Sequence, residues 1–545
     1  MRHIRNAVAC GVLFAGVAGC DNPLEVGNPN DPDRPRVLAN PTDVESLGGG
    51  LYQQITSGTT GNIARVQTGL MSAALMNGSA LANNGLGPRG EIPRGQIDNT
   101  RGNTYLNENY NDFRILQQTA RAGSDVLARA TAEDFTLGAA GDTEEVRLIS
   151  WTYFAYGLAL GYTAMVYDSA AIPRPTDAPA DLVPLSHYSE VMAYALEQLD
   201  LAEQFAGEVE FTLPSDWLRG NALTSGEFQR VIRSFRARLR AGVARTPVER
   251  EAVDWAAVIA DATGGLEDDL LIAMNPAAGF DVAWLASTLH YRDANWHQMP
   301  YYIIGMADTS GAYEAWLNEA RDSREPFLIK TPDTRFPSGE TRAEQNAVGQ
   351  AGLPDGVYYR NRAPGLDQAL EGWRASYYDH FRFWSYTFVG TSRANPFPVF
   401  TKTENDMLAA EGYLREGQPA LAIPLINASR TAHGLPAIPV GSAATDPVPG
   451  GASCVPQVPT ASGVECGDVF EAMKWEKRME TAYTSYGAWY FDSRGWGDLP
   501  EGTFLSMPVP YQELDARRLP LYTLGGVGGE GAAEASTYGF GTGNR

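Results

Sequence analysis

Residues 404–434 read ENDMLAAEGYLREGQPALAIPLINASRTAHG. The stretch divides into two short helices joined by a tight turn. Ala409, Ala410 and Tyr413 share one face of the first helix, and the small Ala410 lets a neighbouring backbone approach. Gly417 can take the left-handed conformation that ends a helix. Pro419 suits the first turn of the next helix, where its missing N–H costs nothing. In that second helix Ala422, Ile426 and Ser429 recur at helical spacing. One such hairpin cannot bury its own apolar face, so companions are expected elsewhere in the chain.

The spacing Ala409-Ala410-x2-Tyr413, then Ala422-x3-Ile426, fits the tetratricopeptide pattern. Asp406 stands where that repeat prefers Trp, and Pro424 is expected to kink the second helix. Two further hairpins follow the same rule. At 151–205, Tyr153-x2-Tyr156-Gly157-x2-Leu160 is answered by a helix from His187 to Phe205 that carries Ala195-x3-Leu199. At 225–263, Phe228, Ile232, Phe235 and Leu239 mark a first helix. Asp254 caps the second, which buries Trp255, Val258 and Ile259. Other helices are expected from Thr42 or Asp43 to about Ile55, and over 65–76, 108–130 and 143–168. Residues 77–105, rich in Gly and Asn, read as a long surface loop. Arg230, Arg233, Arg236, Arg238 and Arg240 on the third hairpin read as a solvated face or as partners of neighbouring acids. The fold class expected is mostly α. Degenerate tetratricopeptide-like hairpins, over about 42–268 and 404–434, form a scaffold with an irregular, loop-rich layer packed on it.

The chain has 545 residues and a net charge of −23, which argues against a nucleic-acid partner. Arg2 and Arg5 precede an apolar run, Ala7–Gly19, that is too short to span a membrane and reads as an export signal over 1–19. It ends at Val17-Ala18-Gly19-Cys20, which resembles the lipobox of bacterial lipoproteins. That resemblance implies cleavage before Cys20 and acylation of it. Two or more acyl chains are needed for stable anchoring. Residues 20–41, with five prolines, read as an extended tether. In the exported compartment Cys454 and Cys466 are expected to pair, closing a short loop at about 3 kcal/mol in the entropic model. A metal site there lacks nearby His or further Cys.

Between about 270 and 400 helical periodicity fades and aromatic residues crowd among polar neighbours. Trp284, Tyr291, Trp296, Tyr301, Tyr302 and Trp316 are the candidate ligand contacts, since a flat ring covers the apolar face of a sugar while polar groups fix its orientation.

Residues 470–514 contain Trp475-Glu476, Arg478 and Glu480, then Tyr490-Phe491-Asp492, Arg494 and Trp496-Gly497. They close on Met507-Pro508-Val509-Pro510 and Glu513-Leu514. This resembles the C-terminal signature of the SusD/RagB family, and the 404–434 hairpin resembles that family's best-known repeat. The resemblance implies a single domain over 42–545 in an outer-membrane, cell-surface lipoprotein held by a lipid anchor. Such a protein takes a glycan or oligosaccharide, sometimes a peptide, and passes it to a SusC-like TonB-dependent barrel transporter. It implies no catalytic residue, metal or cofactor. Asp21 favours the inner membrane in some bacteria, so outer-membrane sorting rests on the resemblance alone.

Two rival readings stand beside it. One is a secreted glycan- or peptide-degrading hydrolase, for which His290, Asp293 and His297 could share a helix face around a metal. The other is a protein-only tetratricopeptide-like adaptor. If the aromatic cluster is the site, Ala at Trp284, Trp296 or Trp316 should cost about 2 kcal/mol, more than tenfold in ligand affinity by calorimetry.

Overall fold

The computed structural model describes residues 34–60, 66–78, 86–103, 107–138, 142–178, 182–280, 298–347, 356–362, 376–383 and 396–543. The signal, Cys20 and most of the expected tether lie outside them. Residues Arg34–Ala39, assigned to the tether, form a short helix instead, with Pro35 in its first turn. Helix α1 (Pro41–Gly49) is capped by Asn40 rather than by Thr42 or Asp43. The Asn40 side chain accepts the Thr42 N–H, and Pro41 takes the first helical position. The single helix expected to Ile55 is interrupted at Gly50, after which α2 (Leu51–Thr59) begins. Helices α3 (Val66–Ala73), α4 (Asn107–Ala130) and α5 (Asp142–Val166) follow close to the expected bounds. The 77–105 segment departs from its reading as a surface loop. In its described part Ile97 donates its N–H to Leu524 O, and buried Asn99 donates to Val509 O and Tyr522 O, so it lies beneath the C-terminal segment.

The three hairpins form as their patterns require. Helix α5 packs on α6 (Tyr188–Ala206) through Gly157, where a Cβ would meet the Ala195 carbonyl oxygen at 2.9 Å. Helix α7 (Ser225–Gly242) opens with a Thr224–Glu227 capping box and returns as α8 (Trp255–Thr263), capped by Asp254. Trp255 and Val258 are buried, whereas Ile259 is half-buried. Helix α9 (Lys402–Arg415) ends in a Schellman motif. Gln418 N–H reaches Tyr413 O at 2.7 Å and Gly417, at φ +69°, reaches Leu414 O. Helix α10 (Pro419–Ala432) runs unbroken through Pro424. Pro424 and Ala420 are both exposed, so the carbonyl that loses its partner faces water. Asp406, at the Trp position of the repeat, pairs with Lys402 at 2.5 Å. A Cβ on Gly412 of α9 would stand 2.6 Å from Ile259 Cγ1. The 225–263 and 404–434 hairpins therefore pack directly, although the whole irregular layer separates them in sequence.

Among the described residues, eight short strands form four antiparallel pairs: β1 (Ser169–Ala171) with β2 (Leu185–His187), β3 (Leu270–Ala273) with β6 (Pro396–Phe400), β4 (Tyr359–Asn361) with β5 (Tyr378–His380), and β7 (Gln457–Thr460) with β8 (Gly463–Cys466). The β3–β6 ladder, Leu270 opposite Phe400, joins the two ends of the 270–400 layer. The layer is thus one excursion that leaves and re-enters the scaffold at a single place.

Three of the aromatic candidates form that layer's core. Tyr301 and Tyr302 are fully buried and Trp316 is 3% exposed. Tyr301 stacks on Phe327 at 4.0 Å, while Trp316 meets Tyr302 edge-to-face at 5.2 Å with the Arg324 guanidinium 4.4 Å above it. Their faces are already covered, so none offers a ring to a sugar. The expected ligand role of Tyr301, Tyr302 and Trp316 is replaced by packing. Truncating Trp316 removes core contacts, a stability effect of about 3–5 kcal/mol.

The layers are tied by buried ion pairs centred on α11 (Val469–Thr481) and α12 (Ala488–Trp496). Arg250 chelates Glu411 at 2.9 and 2.5 Å and reaches Asp492 at 3.0 Å. Lys477 also holds Asp492, and Lys474 and Arg478 hold Asp498. From the irregular layer, Arg335 reaches Asp333, Glu476 and Glu480, and Arg382 reaches Glu480 at 3.0 Å. The α7 arginines also pair with acids, but largely inside. Arg238 chelates Glu404 at 2.7 Å on both nitrogens, and Arg236 binds Asp200, Glu203 and Asp261.

Replacing Glu411 by Ala leaves Arg250 with Asp492 alone. The expected loss is about 3–5 kcal/mol in urea unfolding, the cost of a broken buried pair. Burial alone would raise the Glu480 pKa, but Arg382, His433 and Arg335 override it and hold it near about 2. A carboxylate depressed in the fold stabilises above its unfolded value and loses that contribution as pH falls towards the folded one. Stability should therefore drop between about pH 4.5 and 2, Glu480 accounting for about 3 kcal/mol, and Glu480→Gln should flatten that slope.

Candidate ligand-binding groove

Trp284, Tyr291 and Trp296, together with His290, Asp293 and His297 of the metal reading, lie outside the described residues. Among the described residues no group of three or more His, Cys, Asp or Glu is placed to hold a metal. Tyr301, Tyr302 and Trp316 do come together, but as the closed core described above. Their polar neighbours serve that core: Tyr301 OH accepts the Phe327 N–H at 2.9 Å, Tyr313 OH donates to Tyr302 O at 2.5 Å, and Arg324 donates to Tyr302 OH at 3.1 Å. Burial raises the pKa of both Tyr301 and Tyr302, which keeps them neutral hydrogen-bonding groups.

An open polar groove of about 430 Å³ lies beside this core. One wall is the turn Asp308-Thr309-Ser310-Gly311 and the following Glu314; the other is the β7–β8 hairpin with Gln457 and the Cys454–Cys466 disulfide. The first wall is rigid because the Asp308 carboxylate is saturated from within. It accepts Ser310 Oγ at 2.8 Å, Tyr313 N–H at 3.2 Å and Lys330 N–H at 3.0 Å. Gly311, at φ +87°, completes the turn into the helix Ala312–Asn318. Glu314 is exposed, and a Cβ on Gly463 would stand 2.6 Å from its Oε1, so the carboxylate spans to the hairpin tip. The second wall is anchored to the scaffold by Arg430, whose Nη1 donates to Val455 O at 2.9 Å, and by the disulfide that closes the hairpin.

The cysteines pair as expected, with a Cα–Cα distance of 5.8 Å. Their place in a groove wall was not legible, because the opposing wall lies more than a hundred residues away in sequence. The Asp-Thr-Ser-Gly turn was a local signal for that opposing wall. Hydroxyl, carboxylate and amide groups along both walls can exchange hydrogen bonds with a hydroxyl-rich ligand. Among the described residues that line the groove, no general acid–base pair or nucleophile–base contact is assembled.

No family model and no curated protein matches the sequence. Solved structures do match the fold. A SusD superfamily protein from Bacteroides vulgatus superposes at a TM-score of 0.50 and 12% identity, over 84% of this chain and 89% of its own. A SusD superfamily protein from Parabacteroides distasonis gives 0.49 at 11% identity, over 88% and 97%. A SusD-like carbohydrate binding protein from Bacteroides vulgatus gives 0.47 at 13%, over 93% and 94%. Identities this low speak for architecture. The chain is thus similar in fold, at 12% identity, to that SusD superfamily protein from Bacteroides vulgatus.

Proposed function

We propose that the protein is a cell-surface capture lipoprotein of the SusD/RagB type. It is anchored through Cys20 in the outer membrane, binds a glycan or oligosaccharide without catalysis, and passes it to a TonB-dependent barrel transporter. The fold correspondence over 84% of the chain carries this reading. The VAGC export signal supports it from the sequence, and no helix among the described residues is long and apolar enough to cross a membrane. Ligand contacts come from the groove between Asp308–Glu314 and the disulfide hairpin, with Trp284, Tyr291 and Trp296 as stacking rings. The scaffold hairpins, with α10 exposing Leu421, face the transporter.

Purified protein from Asp21 onward, titrated calorimetrically against a panel of oligosaccharides, should bind at least one of them and release no product. Glu314→Ala and Gln457→Ala should each weaken that binding several-fold, about 1 kcal/mol per lost hydrogen bond. Their unfolding midpoints should not move. Release of a cleaved product would favour a hydrolase. A stable barrel partner with no oligosaccharide binding would favour a protein-only adaptor.

A further inference from the structure

Most buried arginines of this chain meet a carboxylate, and two neighbours do not. Arg245 follows α7 and Arg494 sits on α12; they are 5% and 1% exposed. Arg245 Nη2 donates to the Ala164 and Tyr167 carbonyls at 3.1 and 2.7 Å, capping the end of α5, and its guanidinium lies 3.4 Å above the Tyr188 ring. Arg494 donates to Leu505 O at 2.8 Å and to Gly242 O, at the end of α7, at 2.9 Å. Helix C-termini supply part of a countercharge, roughly half an elementary charge each. Neither guanidinium forms an ion pair among the described residues, and neither Nε has a hydrogen-bond partner. Burial, with each cation beside the other for Arg245, drives both pKa values below the ordinary guanidinium value.

Two nearby acids supply countercharge without a close ion pair, Asp168 to Arg245 and Glu249 to Arg494. Glu249 accepts Tyr188 OH at 3.0 Å and the Arg245 backbone N–H at 2.8 Å, Asp168 accepts Tyr522 OH at 2.7 Å, and Glu534 is exposed at the cavity mouth. Both arginines line one cavity of about 390 Å³ whose other walls include Pro247, Val248, Leu499 and Leu505. Two buried cations lining one cavity beside mostly apolar walls match an anion with an apolar body. A planar carboxylate suits guanidinium geometry, whereas a phosphate dianion needs more donors than these walls provide.

We propose that the cavity between Arg245 and Arg494 is a binding site for a small organic carboxylate, separate from the capture groove. It places the carboxylate against the two guanidiniums and the hydrocarbon part against Pro247, Val248 and Leu505. The site sits where α5, α7 and α12 meet, so its occupancy couples to the stability of that junction.

Hexanoate is the probe, with hexanamide as the uncharged isostere and inorganic phosphate as the competing anion class. Calorimetry on the full mature chain should show saturable hexanoate binding and a raised thermal midpoint, with neither effect from hexanamide. Ala533→Trp, which fills the cavity from a wall residue other than the arginines, should abolish binding while the unliganded protein stays folded. Arg494→Lys should weaken it by about tenfold or more, because a point charge replaces the planar fork. If that variant does not fold, Ala533→Trp decides alone. Absence of saturable binding at millimolar hexanoate, an equal response to hexanamide, tighter binding of phosphate, or undiminished binding in Ala533→Trp would each overturn the proposal. Oligosaccharide binding is read separately, so failure here leaves the capture reading standing or falling by its own titration.

Discussion

Arg250 is the point on which the fold converges. It is wholly buried, holds Glu411 of α9 in a two-pronged pair, touches Asp492 of α12 and donates to Ala241 O at the end of α7. Trp496 donates to the same Glu411, and Lys477 of α11 holds the same Asp492. Four segments distant in sequence are therefore fixed by one guanidinium. Desolvation offsets much of what such a cluster gains by Coulomb attraction, so its weight in net stability is small. Its weight in arrangement is large. Any packing that slides α9 past α12 strands a charge in a low-dielectric interior, and few alternative packings survive that penalty.

The helical hairpins were legible because their signals are local. Gly417 after α9 and Asp254 before α8 each act within one or two turns of the chain, and a period of 3.6 is visible in a short window. The ionic core was not legible by the same means. A run such as Trp475-Glu476-Lys477-Arg478-Met479-Glu480 has the charge density of a solvated helix face, yet every one of those side chains is buried. What distinguishes the two cases is the partner, and Arg335 and Arg382 lie 141 and 98 residues from the Glu476 and Glu480 they hold. The arginines of α7 show the same ambiguity. Pairing with acids was the right chemistry, but Arg236 and Arg238 pair inside the protein, not on its surface.

The irregular layer exposed the opposite error. Aromatic rings beside Asn, Asp and Arg have the composition of a sugar site, and they also have the composition of a core built from Tyr and Trp. Each buried phenol or indole needs a polar partner. Tyr301, Tyr302 and Tyr313 spend their hydroxyls on Phe327, Arg324 and the Tyr302 carbonyl, so the polar neighbours are consumed by the core they accompany. Composition alone cannot separate these two uses. Geometry can, because a recognition ring needs one free face and these have none.

The same distinction between satisfied and unsatisfied groups separates scaffold from site across the molecule. Glu404, Glu411 and Asp498 are saturated by cations inside the scaffold. Where walls stay apart, polar capacity is left over. Glu314, Gln457 and Ser310 line the open side of the disulfide hairpin, and Arg245 and Arg494 line a second cavity. The proposed capture groove joins two segments that are insertions relative to the hairpin repeat: the 270–400 excursion and the 436–468 connection between α10 and α11. Neither contributes to the Arg250 cluster. Side chains in those walls can therefore change to suit a different ligand without disturbing the ion pairs that set the fold. A scaffold fixed by buried charge thus leaves its binding surface free to vary.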